Sequence, residues 1–260
     1  MKAALLHVLI ALVLCISVAT SGVFNSVLVD LTYDHYAEKT VDYLPGFLAM
    51  PFNSLVNLGY VAVGVYWLLR RAEDRDDNNK QHAAYVKDVF AVMAIAYPLV
   101  QWVRLATLSR VPAVLDQWFT LPIFAWVPVW CGFIAHGWRP RHALAAETCS
   151  LLSYALALAH DRGFEVALAC HVVLAVTEGV LAQRRFGDAL SLRYLGLAVL
   201  SCFGFVALKV LDHALARYWP FRHLTGHFWS KVCDFLQFHY SFCFLTRLTS
   251  LAPKREEKTE

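Results

Sequence analysis

Charge is scarce in this 260-residue chain, where Asp, Glu, Lys and Arg together make up 17%. A soluble domain carries about 25%. Set beside 58% hydrophobic residues, the deficit places the chain in a membrane. The net charge of +3 is small and no basic patch with interleaved aromatics occurs, so nothing points to nucleic acid as a partner. No cysteine sits in a polar loop. All seven (Cys15, Cys131, Cys149, Cys170, Cys202, Cys233 and Cys243) fall in apolar stretches. Neither a disulfide framework nor a Cys-type zinc site is signalled, and they read as small buried hydrophobes. There is no Asn-x-Ser/Thr glycosylation acceptor and no internal repeat. Paired interrupted segments are missing too, which counts against an inverted-repeat transporter.

Long apolar runs are what the chain does have. Residues 1–24 hold the first of them. It reads either as a signal peptide, with Ser17-Val18-Ala19 as a small-residue cleavage site, or as a retained first span or signal anchor; the second is preferred. Residues 25–46 are a polar, lumenal loop with Asp30, Asp34, His35, Glu38 and Asp42. Residues 47–248 form the membrane core, with apolar spans near 47–69, 88–108, 113–135, 143–160, 163–182, 193–213 and 228–248. Each is about long enough to cross a hydrocarbon core of roughly 30 Å. Residues 249–260 are expected as a disordered cytoplasmic tail. The expected fold is therefore an all-α, multi-pass transmembrane helix bundle. It has a seven-span core plus an extra N-terminal span, eight helices in all. With both termini on one side, fifteen Lys and Arg fall on that side and seven on the other, with Lys231 inside a span. The positive-inside rule makes the richer side cytoplasmic. The cluster from Arg70 to Lys87 reads as a solvated cytoplasmic loop.

The spans are not uniformly apolar. Asn53, Ser54 and Asn57 lie early in the second, and Gln101 and Arg104 lie late in the third. Asp116 and Gln117 open the fourth, Asp212 and His213 close the seventh, and His227, Lys231 and Asp234 open the eighth. In an up-down bundle all of these come to the lumenal end. At 100° per residue, positions 227, 231 and 234 fall within about 60° of arc on one face. Lys231 and Asp234 each carry a translocon cost of about 2.5–3.5 kcal/mol at a helix centre. Residues kept against that cost face a protein interior or a watery cavity. Two readings stand. One is a lumen-facing polar cavity. The other is a set of interhelical hydrogen bonds with one ion pair, Lys231–Asp234 or Arg104–Asp116. The opposite half is poorer, with Glu147 and Glu178. His171, mid-span, is expected to bond a neighbouring helix. Trp118, Trp126, Trp130 and Trp138 read as packing and interface anchors.

Several strings carry a resemblance. They are Leu48–Asn57 (LAMPFNSLVN), Val114–Trp118 (VLDQW), Thr120–Trp126 (TLPIFAW), Gly163–Leu168 (GFEVAL) and Leu224–Asp234 (LTGHFWSKVCD). Together they resemble the vertebrate transmembrane protein 187 family. The resemblance implies a multi-pass endomembrane protein and no particular mechanism. A more distant likeness is to the seven-span superfamily of alkaline ceramidases and adiponectin-type receptors. There a Ser-x-x-x-His helix, an Asp opening the next helix and a His-x-x-x-His near the last span hold a zinc ion that activates water. This chain offers Tyr97-x-x-x-Gln101, Asp116 and His227-x-x-x-Lys231 in the same order. One His of three is present. Gln101 is a poor zinc ligand, and the cationic Lys231 repels a metal. The frame His223-x-x-x-His227 restores only a pair.

The expectation is a non-catalytic integral membrane protein of the secretory pathway, in the Golgi, a related endomembrane or the plasma membrane, with no zinc or other cofactor. Its lumenal cluster would bind a membrane lipid head group or a protein partner. The enzyme rival is a zinc-dependent lipid amide hydrolase built on Asp116 and His227. Transporter and receptor roles are the other rivals.

Overall fold

The computed structural model describes residues 1–70 and 78–253. Among these residues every regular element is helical. Eight helices carry the architecture: α1 Lys2–Thr20, α2 Pro51–Leu69, α3 Asn78–Thr107, α4 Arg110–His136, α5 Pro140–Ala159, α6 Gly163–Phe186, α7 Ala189–Val210 and α8 Gly226–Leu251. The first seven are long and apolar enough to cross a membrane. The protein is thus a multi-pass helical bundle, and the helix bounds follow the expected spans closely. The largest difference is at α3, which starts at Asn78. Lys80 and Lys87 therefore stand on a helix instead of in a loop. The rest of the expected charged loop, residues 71–77, and the tail from 254 onward lie outside the described residues. At the other edge α8 runs to Leu251, into the segment expected as tail.

The last helix is the one of the eight that does not read as a span by composition, and it has protein on several sides. At about 1.5 Å per residue, its 26 residues are long enough to span. It carries Lys231, Asp234 and Arg247. It packs along much of α7 and also touches α2, α3, α4 and α6. Its aromatic residues Phe238, Phe242 and Phe244 are buried, and so is its polar N-terminal face of His227, Ser230, Lys231 and Asp234. Neighbouring helices in place of lipid around the charged turn remove most of the insertion penalty. Helices α6 and α7 are the contrast. Val173, Leu174, Leu181, Leu200 and Phe203 are exposed on them, as lipid-facing surfaces are.

Helix α1 packs against α3 and α4. One contact is polar. Within the apolar run, His7 bonds the Tyr85 hydroxyl at 2.6 Å and the Glu147 carboxylate at 2.8–2.9 Å. His7 thereby partners the buried Glu147, which stands alone in the sequence pattern. His171 does what was expected of it: one ring nitrogen bonds the Ala167 carbonyl at 2.7 Å and the other the Ser150 hydroxyl of α5 at 2.9 Å.

Helix α2 is broken where the site needs it. Pro51–Leu55 and Leu58–Leu69 are separated by a turn at Val56 and Asn57. The Asn57 amide reaches back three residues to Ser54, and the Tyr60 amide reaches back three to Asn57. This tightening is 3₁₀ winding. It frees the Asn53 carbonyl from the ordinary i to i−4 ladder.

Candidate functional site

The polar residues read from the spans converge on one end of the bundle. The Lys231 ammonium, 4% exposed, donates to Gln101 Oε1 at 2.5 Å, Asn57 Oδ1 at 3.1 Å and the freed Asn53 carbonyl at 3.2 Å. Asp234, one turn on, accepts from the Tyr60 hydroxyl at 2.7 Å. Arg104 and Asp116 form a short ion pair between α3 and α4. Of the two ion pairs considered from sequence, this is the one that forms. Lys231 and Asp234 instead have separate partners. Charge-assisted bonds of this kind are about twice as strong as neutral ones, and each here ties two helices together.

Asp212, 1% exposed, opens a short helical turn after α7. It accepts from the His227 amide at 2.7 Å and from the Ala37 amide at 2.8 Å. Gly226 makes the first contact possible. A Cβ there would stand 2.7 Å from the Leu208 carbonyl and 2.9 Å from the Asp212 Cα, so only glycine lets α8 start this close to the end of α7. Asn53 and Ser54 are fully buried, with the Ser54 carbonyl accepting from the Trp102 indole at 2.9 Å. His213 is the exception among the candidates. It is exposed on the far side of the same turn and is not brought into the cluster, because Asp212 takes the inward direction.

Residues 25–50 close the cluster from above. Tyr36, 8% exposed, meets the His227 ring edge-to-face with centroids 4.5 Å apart, and His35 lies 6.0 Å from the same imidazole. Glu38 accepts from the Phe52 and Asn53 amides, both at 2.8 Å. These are orphan donors at the start of α2, and the carboxylate also meets the positive end of that helix. Tyr33 donates to the Leu105 carbonyl at 2.7 Å. Burial pushes the Tyr36 hydroxyl up to about 12. It also raises Glu38 against the lowering effect of its two amide bonds. His35 is lowered, first by burial and then by Lys209.

What remains open is a cavity of about 30 Å³ bounded by Gln101, Arg104, Asp116, His227, Lys231 and Asp234, with Tyr60, Tyr97, Tyr36 and Lys209 around them. A water needs about 10–15 Å³ on this measure, so the space admits about two. His227 Nδ1 and Asp116 Oδ1 are buried without a protein partner among the described residues, which is what such waters satisfy. Residues that hydrolase geometry would use as ligands therefore meet, yet the donor set is wrong for a metal. A three-point-bonded ammonium takes the centre, and Asp116 is engaged by Arg104. Among the described residues no three His, Cys, Asp or Glu side chains gather in a metal-ligating group. Tyr36, Glu38, Tyr60 and Lys209 were not among the residues expected from sequence, and Tyr97 entered only as the position of the hydrolase serine. Tyr60 had a signal, three residues after Asn57 on the same helical face. The loop residues had none.

The fold and the cluster can be set beside known proteins. The model of the TMEM187 protein family matches residues 4–246. Transmembrane protein 187 of Bos taurus is 52% identical over 246 residues, covering 94% of this chain and 96% of that protein. Transmembrane protein 187 of Homo sapiens is 53% identical over 247 residues, covering 95% and 93%. No solved structure matches. A family match over nearly the whole chain, with the bundle described above, settles the affiliation: the chain belongs to the TMEM187 protein family.

Proposed function

We infer that this protein is a non-catalytic, multi-pass component of the secretory pathway that acts by recognition. The Lys231 cluster faces the lumen or exterior as an internal lock, not as a reaction centre. The observation that carries this is the Lys231 ammonium bonded to Gln101, Asn57 and Asn53. A fixed cation stands where a hydrolytic metal would have to be. The asymmetry of Lys and Arg supports the lumenal orientation and a cytoplasmic C-terminus. Residence in the Golgi or a related endomembrane rests on the family resemblance alone. His7 supports retention of the first span, since removing α1 would leave Glu147 buried without its partner.

A space for about two waters weighs against a lipid head group inside the closed cluster. Recognition at this end then falls to its outer surface. Tyr43 and Phe47 are exposed in the long loop, and Tyr218 and Trp219 are exposed between α7 and α8. Aromatics of this kind favour the head-group layer of a bilayer, so the membrane surface, or a partner lying on it, is what this face meets. Metal analysis of the purified protein, run beside a ceramide-hydrolysis assay, tests the reading. The expected result is no stoichiometric zinc and no sphingoid base released. Stoichiometric zinc that is lost in His227→Ala, with hydrolysis lost alongside, would overturn it.

A further inference from the structure

The opposite end of the bundle holds a chamber of about 610 Å³, within the roughly 300–1,000 Å³ typical of small-molecule sites. It lies among α2, α3, α4, α7 and α8. Its described lining includes four cations, Arg70, Lys80, Lys87 and Arg247, and no carboxylate. The cations are not equivalent. Lys87 is committed to the fold: it donates to the Trp67 and Arg70 carbonyls at the end of α2, both at 2.7 Å, and meets Asp88 at 3.2 Å. Arg247 is held by Asp188 at 2.6 Å. Arg70 is exposed and rests over the rings of Trp67 and Tyr66, 5.2 and 5.5 Å from their centroids. Lys80 is half-buried at the chamber wall. These last two leave positive charge available to a ligand.

The inner wall is apolar and aromatic, with Trp130, Phe133 and Ile134 from α4 facing Trp67 from α2. Trp67 is 3% exposed, and its indole N–H is buried with no acceptor among the described residues. Trp130, in the same wall, has an acceptor in the Thr249 hydroxyl at 3.1 Å. A buried donor without an acceptor carries a desolvation penalty of about 1–3 kcal/mol. The chamber thus combines cations at its rim with an apolar, aromatic wall.

We propose that this chamber is a binding site for an anionic amphiphile, a single-chain lipid whose phosphate or carboxylate lies against Arg70 and Lys80 and whose chain lies along Trp67, Trp130 and Phe133. The site is independent of the Lys231 cluster and of the function proposed for that end. Lysophosphatidate is the probe. It is titrated into the full-length protein in detergent and read by native mass spectrometry, beside a monoacylglycerol of the same chain and inorganic phosphate. Lysophosphatidate should bind at one site at least tenfold more tightly than the monoacylglycerol, and inorganic phosphate should compete poorly. Replacing both cations, Arg70→Gln with Lys80→Gln, should weaken lysophosphatidate tenfold or more. Tyr43→Ala, at the other end, should leave it unchanged. Equal binding of neutral and anionic lipid overturns the proposal, as does full binding by the double variant. Equal competition by inorganic phosphate also overturns it, in favour of a simple anion site. Glu73, Asp74, Asp76 and Asp77 supply the remaining outcome. If lipid binds only after all four are replaced by their amides, the chain's own acidic segment is the occupant and the proposal fails.

Discussion

At the Lys231 end, Arg104, Lys231, Asp116, Asp212, Asp234 and Glu38 all turn inward, and nearly every charge has a named partner around about 30 Å³ of free space. At the Arg247 end, four cations surround about 610 Å³ with no acid in the described lining. Both ends use ionisable side chains at the mouth of the same bundle, yet the physics differs. Charges removed from water are held by geometry, and losing one partner strands the other. At the second end Lys87 and Arg247 are likewise engaged, but Arg70 and Lys80, left near water, contribute little to stability and remain free to bind. The first end therefore reads as part of the fold, the second as a place where a ligand supplies what the fold omits.

The comparison breaks most easily at Asp116. Asp116→Ala leaves the Arg104 guanidinium, whose side chain is 15% exposed, with a lost carboxylate in a desolvated setting. The expected destabilisation is about 3–5 kcal/mol, read as a lower midpoint of thermal unfolding in detergent. Asp188→Ala at the other end also removes an Arg partner, from Arg247, but both side chains there are a third exposed or more. Its midpoint should shift far less. Equal losses at the two sites would abolish the distinction drawn between the ends.

Lys231→Met follows in size. The methionine keeps most of the volume and removes the ammonium, leaving the Gln101 and Asn57 side-chain oxygens without their donor. The cost should be about 1–3 kcal/mol, set against the relief of removing a buried charge. If Lys231→Met proves more stable than the parent, the ammonium is not a lock and was kept for some other purpose. A zinc assay on this same variant sharpens the point, because the cation that excludes a metal is then gone.

The helical half of this cluster is legible in the amino-acid sequence. Polar groups inside apolar runs are conspicuous, and span order fixes which end each one reaches, so Asn57, Gln101, Asp116, Lys231 and Asp234 gather by depth alone. Ring and hydroxyl partners are not legible there. Tyr60 looks like an ordinary membrane aromatic until Asp234 is seen beside it, and Tyr97 stands out only through the hydrolase frame. Tyr36 and Glu38 sit in a loop without periodicity, and their partners His227 and Asn53 are fixed only by tertiary packing. His213 is expected there for the same reason that Asp212 is, adjacency at a span end, but consecutive helical residues point about 100° apart, and only Asp212 turns inward. The chamber at the other end is hidden twice over. Its tryptophans read as packing, and its cations read as a solvated loop.

Glu38→Gln keeps the shape of the cap and removes the charge at the start of α2, where Glu38 accepts from Phe52 and Asn53. The expected cost is about 0.5–2 kcal/mol, in the range of a lost helix cap. It should show as faster amide hydrogen exchange in residues 51–54 with little change in α8.

The smallest effect expected is a pH dependence of the loop itself. His35 has a pKa below its ordinary value, because burial and Lys209 disfavour its charged form. In the window from about 6.5 down to that lowered value, the unfolded loop binds more protons than the closed one, so closure weakens as pH falls through it. Glu38 acts with the opposite sign: its raised pKa means that the closed loop takes up the proton first as pH falls towards the ordinary carboxylate range, which favours closure there. Opening of residues 30–40, read as amide exchange corrected for its intrinsic pH dependence, should therefore rise as pH falls from 7 through about 6.5 and level off below the lowered value of His35. In His35→Gln the first rise should vanish while the chamber at the other end stays unaffected. A rise that persists in His35→Gln would assign the acid response to another group.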